Sequence, residues 1–361
     1  MSPKRLVLST LRLVDFRNVR RLDLEPGPRF NVVAGRNGAG KTNLVEAIYL
    51  AGALRSFRTA ASRELVRHGA VEAAITAVFG EAAAGTTCEL RFGPELRRVR
   101  VDGKPAQVDG GHFRALPMVL FHPGHMELVQ GGPDARRRFL DRALYQADRG
   151  YPALHRAYGR ALKSRNRLLK ERRLDEPSLA AFDAQLVENG ARIVAARERF
   201  LAALAPLYDE ALAEVSGERG GRIAYAPSAR DGAELAARLA AERAEDHARG
   251  FTAAGPHADD VEFEVRAMSA RRFASQGQQR TAVLAAKIAE TRALAAAVGR
   301  TPILLLDDVS SELDEARNAA LLSFLSRTGG QVFITTTHAK HVAVEGERID
   351  FEVADGALRR P

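Results

Sequence analysis

Apolar residues fall on every second position in "RLVLSTLRLVDF" and again in "RRLDLEP", with the basic stretch "RNVRR" between them. That period predicts strands joined as a hairpin or meander. "RFNVVAG" reads as a short buried strand running into a glycine loop. "TNLVEAIYLAGAL" then switches to a helical period, with Leu44, Ile48 and Ala51 on one face. Strand alternation returns between Val71 and Val108, where Asp102-Gly103 marks a tight hairpin turn. Beyond "LPMVLFHPGHMELVQGGP" the pattern stays helical to about residue 250. Pro133 and Asp134 open one helix carrying Phe139, Leu140 and Leu144; Pro152 opens a second with Leu154, Tyr158 and Leu162 on one stripe. Ser178 reads as the N-cap of a third, whose apolar face is Leu179, Phe182, Leu186, Ile193 and Phe200, and Pro206 predicts its kink or end. "DGAELAARLAAERAEDHARG" is a further amphipathic helix and "VEFEVRA" a returning strand. The simplest organisation is one α/β domain interrupted by a helical insertion of roughly 130 residues.

Composition narrows the class. A chain of 361 residues allows two or three domains, and 46% hydrophobic with 27% charged residues suits globular cores under a soluble surface. No run approaches the roughly 18 apolar residues of a membrane span. "MSPKRLVLSTLRLVDF" lacks the apolar block and cleavage site of a signal peptide. Cys88 stands alone, which excludes a disulfide framework and a thiolate metal cluster, so a reduced cytoplasmic protein is expected. The net charge of +9 favours phosphate-bearing partners through long-range attraction and counterion release.

Three local patterns carry chemistry. "GRNGAGKT" satisfies G-x-x-x-x-G-K-[ST], between an apolar strand and an amphipathic helix. Gly35, Arg36, Asn37, Gly38, Ala39 and Gly40 would wrap backbone N–H groups around a β-phosphate. Lys41 would reach the β- and γ-phosphates of ATP, and the Thr42 hydroxyl would bind Mg²⁺. "TPILLLDDVSSELD" is a buried parallel strand ending in two carboxylates: Asp307 as the Mg²⁺ partner, Asp308 pointing elsewhere and polarising the attacking water. "QVFITTTH" is another buried strand, ending at His338 on the rim where parallel sheets bind ligands, within reach of a γ-phosphate. A basic run lies further in: Arg156, Arg160, Lys163, Arg165, Arg167, Lys170, Arg172 and Arg173 against the single acid Glu171. Arg160, Lys163, Arg165, Arg167 and Lys170 are the candidate DNA contacts, tracking phosphates without reading sequence.

The order of phosphate loop, helical insertion, "SQGQQR", "ILLLDD", "SELD" and "TTTH" resembles an ABC-type ATPase head. "SQGQQR" stands in the place of the signature motif, "SELD" in that of the D-loop and His338 in that of the switch histidine. "LRLVDFRNVRRLDLEPG", "GKTNLVEAIYL", "LRSFR", "GGPDARRRFLD", "TAAGPHADDVEF" and "LLLDDVSSELD" make the chain similar to the RecF family of bacterial recombination proteins, from about residue 11 to 340.

The resemblance implies an α/β fold: an ABC-type P-loop ATPase head whose lobe I (1-120 plus 250-361) carries a mixed sheet with antiparallel N-terminal strands, and whose helical lobe II (121-249) is inserted in it. It implies ATP and Mg²⁺ as cofactors, with Ser275, Gly277 and Gln278 contacting the nucleotide of a second subunit. It further implies an ATP-dependent homodimer that binds double-stranded DNA, particularly at single-strand gap junctions, and acts with RecO and RecR to load the RecA recombinase, a step linked to SOS induction. Two departures from the ABC pattern stand out. Asp308 replaces the usual glutamate, which implies slow hydrolysis suited to a switch. No Q-loop glutamine is evident beyond Gln130 in "ELVQGGP". A transporter ATPase subunit needs a shorter spacing between Lys41 and Ser275, an SMC-like structural protein needs long heptad arms, and a small-molecule P-loop kinase leaves "SQGQQR" and "SELD" without a role.

Overall fold

The computed structural model describes residues 4–80, 85–94, 97–106, 110–309, 313–354 and 356–360. After β1 (Lys4–Arg5), strands β2 (Leu8–Phe16) and β3 (Val19–Leu24) pair in the register Leu11↔Leu24 and Leu13↔Leu22, which puts all four leucines on the buried face. β4 (Phe30–Ala34) leads through the glycine loop into α1 (Lys41–Ala53). Strands β5 (Ala73–Phe79), β6 (Thr86–Phe92), β7 (Arg97–Val101) and β8 (Lys104–Pro105) follow, the last two joined by Asp102-Gly103 with both residues at positive φ. Then come α2 (Gly110–Ala115) and β9 (Met118–Phe121).

The helical stretch contains α3 (Glu127–Gln130), α4 (Pro133–Ala147), α5 (Tyr151–Leu168) and α6 (Glu176–Ser216), then β10 (Arg222–Ala226), α7 (Gly232–Ala241) and α8 (Arg243–Arg249). Strands β11 (Asp260–Val265) and β12 (Met268–Ser269) precede α9 (Gln276–Val298). The chain closes with β13 (Arg300–Thr301), β14 (Ile303–Asp307), α10 (Glu315–Thr328), β15 (Val332–Thr336), β16 (Arg348–Ala354) and β17 (Ala357–Arg359).

Two compact units result. One comprises Met1–Val108, Ala115–His125 and Leu294–Pro361; the other comprises Asp109–Arg114 and Met126–Ala293. In the first unit, a sheet in the order β17-β16-β4-β15-β14-β9 is parallel except for the β16–β17 edge, and a second sheet in the order β3-β2-β5-β6-β7-β8 is antiparallel. Helix α1 packs against strands of both. It is therefore buried all round from Leu44 to Gly52, not only along Leu44, Ile48 and Ala51, which is what an apolar-all-round sequence does between two layers. Its one acid, Glu46, is fully buried and takes a bidentate pair from Arg17 at 2.7 and 2.9 Å. The Gln331 carboxamide bonds both backbone groups of Leu8, at 2.7 and 3.0 Å, and so ties the start of β2 to the residue that leads into β15. Cys88 is buried in β6, where burial pushes its thiol up to about 12, a structural thiol rather than a reactive one.

The second unit is built on α6, whose Leu179, Leu186, Ile193, Phe200, Leu204, Tyr208 and Leu212 are buried while Phe182 is half-buried. Asp175, not Ser178, is its N-cap: the Asp175 carboxylate accepts the Ser178 N–H at 3.2 Å. The helix also runs unbroken through Pro206. Pro206 and Ala202, whose carbonyl loses its intrahelical donor to the proline, are both exposed, so water can satisfy that carbonyl.

This unit continues to Ala293, whereas the sequence placed its end at 249. The reason is long-range pairing: "VEFEV" forms β11 but pairs antiparallel with β10, Phe263 opposite Ile223, rather than joining either sheet of the first unit. Two buried arginines organise the interior. Arg197 donates to Asp141 at 2.9 Å and Asp259 at 2.8 Å. Arg165 donates to Asp183 at 2.6 Å, Asp246 at 2.7 Å and the Thr252 hydroxyl at 2.7 Å. Among the described residues no helix is long and apolar enough to cross a membrane.

Candidate nucleotide site

Strand order explains how residues far apart in sequence meet. β4, β15 and β14 are neighbours and parallel, so the glycine loop, the Thr335-Thr336 end and Asp307 leave the same edge side by side. Gly35 cannot be larger, because a Cβ there would meet the Val353 carbonyl oxygen at 2.5 Å. Gly40 has φ of 116° and serves as N-cap of α1 without any side-chain cap, leaving the helix start to backbone N–H groups. The Asn18 carboxamide donates to the Ala39 carbonyl at 3.2 Å and accepts from Asn43 at 2.7 Å, bracing the loop from β3's side. Arg36, Asn37 and Gly38 are exposed at the loop's tip.

Lys41 is buried, and its ammonium donates to the carbonyls of Gly35 at 2.7 Å and Arg36 at 3.1 Å, folded across the loop it follows. The Thr42 hydroxyl donates to Asp307 Oδ1 at 2.9 Å, joining the loop to β14. Thr335 donates to the same oxygen at 3.0 Å. Burial raises the Asp307 carboxyl above the usual carboxylate range; the two hydroxyls oppose this, and the neighbouring Asp308 charge adds to it. Asp308 lies just past the end of β14 at φ of 50°, its N–H donating to the Thr335 hydroxyl at 2.9 Å, so the chain turns there instead of continuing the strand's alternation. His338 is exposed just past β15; its Nδ1 lies 3.0 Å from the Thr337 hydroxyl and its ring 5.1 Å from that of His341.

A magnesium ion fits this arrangement. Thr42 and Asp307 supply hard oxygen donors in contact with each other, and a carboxylate disfavoured by burial gains from a cation. Among the described residues no cluster of three or more His, Cys, Asp or Glu forms an all-protein cage.

The pattern of the RecF/RecN/SMC N terminal domain family matches residues 7–353. A DNA replication and repair protein RecF from an Anaeromyxobacter species is 41% identical over 98% of this chain and 99% of its own length. The chain belongs to the RecF family. The protein of the same name from Geobacter sulfurreducens is 39% identical over 97% of this chain and 99% of its own length. The structure superposes on that of a recombination mediator protein RecF with ATPrS, in the RecFOR pathway, with a TM-score of 0.91 at 32% identity, covering 99% of both chains. A Pyrococcus furiosus Smc head domain, at 16% identity and a TM-score of 0.58 over 98% of this chain and 95% of that one, shares the fold. The α/β ABC-type ATPase-head architecture follows from these likenesses and from the sheets described above.

Apart from the "SELD" stretch, which belongs to the first unit, the remaining candidates of this RecF-family chain lie in the second unit. Ser275 is exposed and caps α9 through a reciprocal box: its hydroxyl accepts the Gln278 N–H at 3.3 Å, and Gln278 Oε1 accepts the Ser275 N–H at 2.9 Å. Gly277 sits in that first turn. Gln130 donates to Gln279 Oε1 at 3.0 Å, within the same unit. Of "SELD", Ser311 and Glu312 lie outside the described residues, and Asp314 is the N-cap of α10.

The basic run needs one correction. Arg160, Lys163, Arg167 and Lys170 are exposed, but Arg165 is fully buried and held by two carboxylates, so it is no DNA contact. The spacing carried this signal: Arg156, Arg160, Lys163, Arg167 and Lys170 step by four and three along one face. Arg165, two residues beyond Lys163, is turned by about 200° from it. The exposed Lys163, Arg167 and Lys170, with Leu162 and Asn166, line an open depression of about 550 Å³. Sequence reasoning missed Asn18 and Thr335. The only available hint was their place in "DFRNV" and "TTTH", next to motifs that were read.

Proposed function

We propose that the chain is an ATP-dependent DNA-binding protein of recombinational repair and replication, acting as a switch. ATP would bind at Gly35–Thr42, and the oxygens of Thr42 and Asp307 would hold Mg²⁺. The ion's chemistry there is neutralisation of phosphate charge. Lys41 supplies the matching side-chain charge, and Asp308 orients the attacking water, with His338 beside the γ-phosphate. The side chain of Asp308, one methylene shorter than glutamate, makes turnover slow. Ser275, Gly277 and Gln278 close on the nucleotide of a second copy, giving an ATP-dependent head-to-head dimer. The dimer binds double-stranded DNA, with Arg160, Lys163, Arg167 and Lys170 along the phosphates, and works with RecO and RecR to load RecA at gapped DNA. The helical lobe, expected at 121-249, extends in this reading to Ala293 with its own strands, and lobe I resumes at Leu294.

The contact that carries this reading is the Thr42–Asp307 hydrogen bond, which joins the phosphate loop to the carboxylate strand. Sedimentation with and without ATP and duplex DNA tests it. A dimer that appears only with ATP and retains duplex supports the proposal, and an ATP-indifferent monomer sinks it. In the same assay Ser275→Arg should bind ATP as a monomer and fail to dimerise. Dimers formed by that variant would remove Ser275 from the scheme.

A further inference from the structure

Thr335 touches both aspartates at the end of β14. Its hydroxyl donates to Asp307 Oδ1 at 3.0 Å and accepts the Asp308 N–H at 2.9 Å. The residue is fully buried, and β15 places it opposite Asp307 in the strand register, so the backbone pairing sets its position. Asp308 takes φ of 50°, a conformation that residues other than glycine rarely adopt. The turn would carry its N–H into the interior, where an unmet donor is costly, and the Thr335 oxygen meets it. On the other side, Thr42 gives its proton to Asp307 Oδ1 at 2.9 Å and keeps its lone pairs for a cation. One hydroxyl thus fixes the orientation of the carboxylate that faces the ion and the direction in which the chain presents the next one. A valine of the same shape would fill the space and do neither.

We propose that Thr335 is a positioning residue for the nucleotide site: it holds Asp307 toward the cation shared with Thr42 and sets the exit direction of Asp308. This rests on the reading that the loop binds Mg²⁺ and ATP. The alternative is a buried hydroxyl satisfied within the sheet and without effect on the site.

The test compares Thr335→Val, Thr335→Ser and the wild-type full-length chain. The Mg²⁺ concentration that gives half of the ATP-induced rise in Tm is measured alongside kcat and KM for ATP. Outer partners of metal ligands typically alter affinity or activity by about 10-fold or more. Thr335→Val should therefore raise the Mg²⁺ midpoint about 10-fold and lower kcat by a similar factor, with KM and ATP binding without Mg²⁺ little changed. Thr335→Ser, which keeps the hydroxyl, should restore both. A wild-type Mg²⁺ midpoint and kcat in Thr335→Val overturns the proposal. If the valine variant does not fold, Thr335→Ala against Thr335→Ser decides it: a shift in alanine alone supports the role, and equal behaviour of the two rejects it. A wild-type protein with no Mg²⁺-dependent ATP response overturns the nucleotide reading itself, a result visible before any variant is compared.

Discussion

Two carboxylates, the partly buried Asp141 and the buried Asp307, one in each unit, sit in opposite electrostatic settings. Asp141 in the helical unit receives the Arg197 guanidinium at 2.9 Å and the Tyr151 hydroxyl at 2.6 Å. Burial alone would raise its pKa, but the His155 contact and the Arg197 charge prevail and bring it to about 2. Asp307 in the α/β unit receives hydroxyls from Thr42 and Thr335 rather than a cation, and burial keeps its carboxyl above the usual range. The first charge is balanced by its own chain and serves architecture. The second meets hydroxyl donors, a setting that the proposed Mg²⁺ would balance. Burial alone does not separate a structural acid from a functional one; the chemistry of the donors around it does.

Removing the cations of the helical unit should have the largest effect. Arg197→Met and Arg165→Glu each strand buried carboxylates, and a loss of about 3–5 kcal/mol of unfolding free energy is expected, read from urea midpoints. A loss under about 1 kcal/mol would show that the helical unit does not depend on these pairs. Lys41→Ala should weaken ATP affinity by about 100-fold or more, measured by equilibrium binding, with little change in Tm. Normal ATP binding would remove the phosphate-loop assignment.

The two acids can then be neutralised directly. Asp307→Asn should block turnover while leaving Tm equal or higher, because its ionised form is disfavoured in the fold. Asp141→Asn should lower Tm. The pH dependence has opposite signs too. Asp141 has a depressed pKa, so its stabilisation is full above the unfolded value near 4 and fades as pH falls through about 2. The stability gap between wild type and Asp141→Asn should therefore narrow from about pH 4.5 to pH 3. Asp307 has a raised pKa, and its ionisation works against the fold as pH rises through that value. The smallest stability change is expected at the exposed stripe. Arg167→Glu should cost no more than about 0.5 kcal/mol, yet reduce the salt slope of duplex binding by about 1. An unchanged slope would move the DNA contacts off α5.

The phosphate loop and the carboxylate strand were legible because each is written in contiguous residues: an apolar strand, a fixed spacing of glycines or aspartates, and a helix. Even their meeting followed from a general property of parallel sheets. What sequence could not supply was partnership at a distance. "VEFEV" announces a strand but not that Ile223 is opposite its Phe263, and so the helical unit was drawn short at 249. The spacing turns Arg165 away from the basic face, but only the fold supplies the Asp183 and Asp246 that hold it. Asp175 took the cap from Ser178 because an N-cap is decided by which side chain reaches an N–H, and Pro206 was harmless because of the face it occupies. Thr335 carries no motif of its own and acquires one only through register with Asp307.

The reciprocal bonds of Ser275 and Gln278 give the start of α9 an occupant of its own. An arriving anion must compete with the Gln278 carboxamide for one N–H and with the Ser275 hydroxyl for another. Loss of such a cap is worth about 1 kcal/mol, close to a fivefold handicap in affinity. Weak or singly charged visitors are discouraged at that handicap, whereas a multiply charged phosphate brought in with many other contacts overcomes it readily. Any anion that binds at this helix end therefore meets a threshold set by two residues of the chain holding each other in place.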